Sequence, residues 1–64
     1  MTQKELLYIE DAIEHEVNIV SILNDDLNKI ENDEIKTFLE KAIKKHTNIK
    51  EKLTRILEEE SNER

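Results

Sequence analysis

The chain has 64 residues, of which 41% are charged and 3% aromatic, with no Gly, Pro or Cys and a net charge of −6. That length allows one small domain at most, below the roughly 70–80 residues at which a single core usually holds without a staple. The absence of Cys excludes disulfides and Cys-based zinc sites, and it leaves the redox compartment unread. Nucleic acid and anionic membrane surfaces select basic footprints, so an acidic chain argues against both as partners. No apolar run approaches the ~20 residues that a membrane span needs, and none has the form of a signal peptide.

The first element opens on Thr2-Gln3-Lys4-Glu5, a capping box in which Thr2 caps the amide of Glu5 and Glu5 reaches back. Apolar residues then recur at Leu6, Ile9, Ile13, Val20, Leu23, Leu27 and Ile30. With Glu16 filling the gap, the steps alternate three and four, the seam of a left-handed helix bundle. This predicts a helix over 3–31. Asn24-Asp25-Asp26 is its weakest stretch, but the seam passes through at Leu23 and Leu27, so the helix is read as continuous.

Residues 31–33, Glu-Asn-Asp, form the expected turn. Asn or Asp there can end one helix in the left-handed region and N-cap the next. A second seam follows at Ile35, Leu39, Ala42, His46, Ile49, Leu53 and Ile56, which predicts a helix over 34–58. Glu, Ser, Asn and Arg then fill a tail over 59–64 that should fray. Each helix would be roughly 40 Å long, and a three-residue link forces the pair antiparallel. The fold class is therefore all-α, one two-helix antiparallel hairpin spanning 1–64.

The first helix is apolar beyond its seam. Ala12 and Ile19 widen the stripe, and Tyr8 and Ile22 extend it, with His15 on the same flank. One partner helix cannot cover so wide a face. The expected outcome is a homodimer forming a four-helix bundle through Tyr8, Ala12, His15, Ile19 and Ile22, with twofold symmetry the commonest closure. The alternative is docking on a different protein partner.

Two polar residues interrupt the seams. Glu16 and His46 both lie near mid-helix, and in a symmetric dimer two copies of each would share one height. Burial of a carboxylate requires a partner, and His46 is the nearest candidate. The pair is read first as a core layer that sets register and oligomeric state. It is also the weak candidate for a metal site, since carboxylate with imidazole suits zinc or iron. A di-iron bundle needs Glu-x-x-His, whereas Ile43 stands three before His46 and Ala12 three before His15. No metal or other cofactor is expected.

His15-Glu16 also fits a phosphotransfer module, in which a solvent-facing His is followed by an acidic residue. The downstream motifs of those modules are missing. No Gly-rich loop, nucleophilic triad or H-E-x-x-H sequence is present, so no catalytic residue is assigned and the chain is read as non-enzymatic.

The run Glu5-Leu6-Leu7-Tyr8-Ile9-Glu10-Asp11-Ala12 with His15-Glu16, and Lys45-His46 after Asp33-Glu34-Ile35-Lys36, resembles the small spore coat F-like proteins of spore-forming bacteria, within the ferritin-like helical-bundle group. The likeness runs from residue 4 to about 57. It implies a ferritin-like half-bundle and association with the spore or sporulating cell, and it carries no activity with it. It also brings the ferritin-like metal-binding bundle in as the alternative function.

Overall fold

The computed structural model describes residues 1–62 and holds two helices, α1 (Gln3–Lys29) and α2 (Asp33–Asn62). They pack antiparallel along a rod of 48 × 14 × 11 Å. The fold is the all-α hairpin that the two seams predict.

The capping box at the start of α1 is complete. The Thr2 N–H donates to Glu5 Oε1 at 2.9 Å, and the Glu5 N–H donates to Thr2 Oγ1 at 3.1 Å. Two of the amides that helix starts leave unsatisfied are thereby served. Asn24 does not break the helix, because its Nδ2 turns back to donate to the Val20 carbonyl at 3.0 Å. Its amide is satisfied locally while the seam residues on either side hold the backbone in place.

The link is Ile30–Asn32 and not 31–33. The first helix ends two residues earlier than expected, with Ile30 extended at φ −94°, ψ 135° and its N–H donating to the Asp26 carbonyl at 3.2 Å. No described residue has positive φ, so the expected left-handed stop is not used. A β-branched residue prefers extended backbone, and this exit keeps the Ile30 side chain half-covered. Asn32 does act as the N-cap of α2, accepting from the Ile35 N–H at 3.0 Å.

The far end of α2 corrects the expected tail. The helix continues through Glu58–Asn62, because Glu is a good helix former and Glu60 lies 3.8 Å from the terminal ammonium of Met1. The remainder of that expected tail, 63–64, lies outside the described residues.

Along α1 the seam holds position by position. Leu6 is buried at 5% exposure, and Ile9, Ile13, Glu16, Val20, Leu23, Leu27 and Ile30 are half-buried. On α2 the seam is rotated slightly. Leu39, Ala42, His46, Ile49 and Leu53 are half-buried as expected, but Ile43, Lys50 and Leu57 share the cover while Ile35 and Ile56 are exposed at 46% and 41%. A lone α1 offers a groove wide enough for one ridge of α2, so one flank of α2 is drawn in and the other turned out. Leu6 is the only buried residue among those described. Two helices by themselves make a contact line, not an enclosed core.

Candidate functional site

Glu16 stands halfway along α1 and His46 near the middle of α2, each at a position where the heptad step points a side chain at the other helix. Glu16 Oε2 lies 2.6 Å from His46 Nδ1. Their side chains retain 14% and 28% of their exposure, which makes this contact the least solvated polar pair between the helices. A carboxylate only accepts hydrogen bonds, so the Nδ1–H is the donor, and this fixes which ring nitrogen faces Glu16. No buried side-chain nitrogen or oxygen among the described residues is left without a partner. The two residues that break the apolar seams are therefore each other's solution.

The His46 ring also borders an open groove of about 450 Å³ whose apolar walls are Ile19 and Leu23 from α1 and Phe38 and Ala42 from α2, with Lys41 and Lys45 on its rim. The groove fixes a geometric point: the outer flank of α1 and the turned-out flank of α2 lie on the same face of the hairpin. Phe38 stands out of that face at 71% exposure, with Tyr8 at 61% and Ile22 at 58%. Ala12 and Ile19 are half-buried beside them. The expected interface residues Tyr8, Ala12, Ile19 and Ile22 thus occupy one surface. Phe38 is the member that the sequence reading missed; its spacing from Ala42, Ile49 and Ile56 is the signal that was available.

His15, on the edge of this face, lies open to solvent, with Nε2 3.3 Å from Asp11 Oδ2 and exposures of 70% and 68%. An exposed pair one helical turn apart contributes little to stability.

Among the described residues, no three His, Asp or Glu side chains gather closely enough to hold a metal ion. Glu16 and His46 offer two ligands per chain, and Nδ1 of His46 is already engaged. Any metal at this layer would need ligands from a second chain, because with Nδ1–H given to Glu16 only Nε2 of His46 is left to ligate.

The acidity of Glu5 is displaced from its ordinary value. The Thr2 backbone N–H, and then the Thr2 hydroxyl, hold its carboxyl below the usual 4.5 by bonding to the charged form. No described helix is long and apolar enough to cross a membrane. No family model, curated protein or solved structure matches the chain.

Proposed function

We propose that this chain is a non-enzymatic structural or protein-interaction module that works as a homodimer, two hairpins closing into one four-helix bundle. The observation that carries this reading is the face bearing Tyr8, Ile22 and Phe38, exposed on a hairpin whose only buried described residue is Leu6. Contiguous apolar surface of this kind on a small chain marks an interaction site, and covering it supplies the core that the hairpin lacks. Apposition of the whole broad side of the rod, 48 × 14 Å, counted on both copies, would reach the range of roughly 1,200–2,000 Å² that specific interfaces bury. In this bundle the Glu16–His46 pairs form a polar layer that penalises helices sliding out of register, because a shifted carboxylate would lose its partner. The resemblance to spore coat F-like proteins extends the proposal to an association with the spore or sporulating cell.

The test is sedimentation equilibrium combined with thermal melts across a hundredfold range of protein concentration. The expected result is a dimer whose melting temperature rises with concentration. A folded monomer with a concentration-independent melt overturns the reading.

The exposure of His15 supports a second reading, a phosphotransfer module. Incubation with a small phosphoryl donor such as phosphoramidate separates the two: acid-labile phosphate on His15 favours this second reading, and its absence favours the structural module.

A further inference from the structure

Charge is divided unequally between the two helices. From Glu5 to Asp26, α1 carries seven acidic residues and no basic one, whereas from Lys36 to Arg55, α2 carries seven basic residues and two acidic. Within one hairpin this division costs nothing, because the acidic helix lies beside the basic one. Between two hairpins it discriminates. When the open faces of two copies meet around a twofold axis, only two arrangements overlap them along their full length. With the axis parallel to the helices, each α1 lies on the partner's α2 and both links fall at the same end. With the axis perpendicular, each α1 lies antiparallel on the partner's α1, and each α2 on the partner's α2.

The 2.6 Å contact between Glu16 and His46 sets the heights, since each step back along α1 matches a step forward along α2. Lys4 is then level with position 58, next to Glu59; Asp11 with position 51, next to Lys52; and Lys29 with position 33, next to Glu34. All six residues are exposed. Lys29 lies in line with Tyr8 and Ile22, and Lys52 and Glu59 lie in line with Phe38, while Lys4, Asp11 and Glu34 stand one turn before Tyr8, His15 and Phe38. All six therefore lie on or beside the apolar face, where charges fix pairing in helix bundles. In the parallel-axis dimer, Lys4 meets the partner's Glu59, Asp11 meets the partner's Lys52 and Lys29 meets the partner's Glu34. In the perpendicular arrangement the same edges bring Lys4 against the partner's Lys29, Glu34 against the partner's Glu59 and Lys41 against the partner's Lys52. Every one of those contacts pairs like charges.

We infer that the occupant of the open face is a second copy of this chain in the parallel-axis arrangement, with α1 of each copy seated between its own α2 and the partner's. Rim charges of this kind add little affinity, but they set orientation, because like-charge juxtaposition selects against the wrong partner surface. All neighbouring helices then run antiparallel, and acidic and basic helices alternate around the bundle. Two Glu16–His46 pairs come to one height about the axis. The inference rests on the homodimer reading.

The absence of Cys from the chain makes cross-linking a clean test. Lys4→Cys, Glu59→Cys and Lys29→Cys variants are prepared singly, mixed in pairs and oxidised mildly after subunit exchange. The expected result is a disulfide-linked heterodimer from the Lys4→Cys and Glu59→Cys mixture, with little from Lys4→Cys and Lys29→Cys. Predominant cross-linking in the second mixture, or in neither mixture although sedimentation shows a dimer, overturns the arrangement and leaves the homodimer reading standing. A monomer in sedimentation removes both.

Discussion

Glu16 and His46, thirty residues apart in the chain, meet at 2.6 Å across the middle of the hairpin. Each occupies a seam position that its neighbours fill with Ile, Leu or Val. Neither would be tolerated there alone, since a half-buried polar group without a partner keeps its desolvation cost and gains nothing in return.

The first prediction follows from that dependence. Glu16→Leu removes the acceptor and leaves the imidazole facing apolar side chains, so it should destabilise by roughly 1–3 kcal/mol. The double variant Glu16→Leu with His46→Leu should return to wild-type stability or exceed it. Urea unfolding of the four proteins at one fixed concentration closes the cycle. Additive single effects would show that the pair does not interact energetically.

A second prediction concerns Phe38. On an isolated hairpin its ring is 71% exposed, and trimming an exposed side chain usually changes stability by no more than about 0.5 kcal/mol. The proposed bundle would bury the ring, and Phe→Ala in a core costs roughly 3–5 kcal/mol. Phe38→Ala should therefore lower stability by more than 1 kcal/mol, on the scale of a partly buried aromatic, and shift the sedimentation profile toward monomer. A change within the surface range would show that this face stays in water.

The capping box gives a pH dependence whose sign is set. The Glu5 carboxyl is held below 4.5 in the folded chain, so its contribution is present above the unfolded value and lost as pH falls through the depressed folded value. Carbon-detected titration of Glu5 should place its midpoint below 4.5. Thr2→Ala removes the hydroxyl but keeps the backbone N–H, the larger cause, so the midpoint should return only part of the way. Removing the cap should also cost roughly 1 kcal/mol of stability. An unchanged midpoint in the variant would mean that the hydroxyl bond is not made in solution.

Metal binding is the fourth. Protein purified without chelator is expected to carry no stoichiometric zinc or iron, and added zinc should raise the melting temperature only weakly. His46 already gives Nδ1 to Glu16, and no third ligand is near among the described residues. Stoichiometric metal by elemental analysis, lost in a His46→Ala variant, would move the ferritin-like metal-binding reading to first place.

Most of the hairpin was legible in the linear pattern, because helix periodicity and caps are local. Thr2-x-x-Glu5 specifies a capping box whatever it packs against, and every seam residue that the three-four steps of α1 pick out is buried or half-buried. Asn32 as N-cap of α2 is equally local. The pairing of Glu16 with His46 could also be inferred, since the short link sets the register of two antiparallel helices and both residues fall near mid-height. What the pattern could not carry was rotation about the helix axes. Whether Ile35 and Ile56 or Leu57 and Lys50 cover α1 depends on how one ridge of α2 settles into one groove, a balance among neighbours from both helices. That small rotation turned Phe38 outward and joined it to Ile19 and Ile22 in one face. The end of α1 at Lys29 follows from the extended exit at Ile30, a local feature, whereas the continuation of α2 to Asn62 comes with Glu60 beside the terminal ammonium of Met1, a contact that no run of adjacent residues encodes.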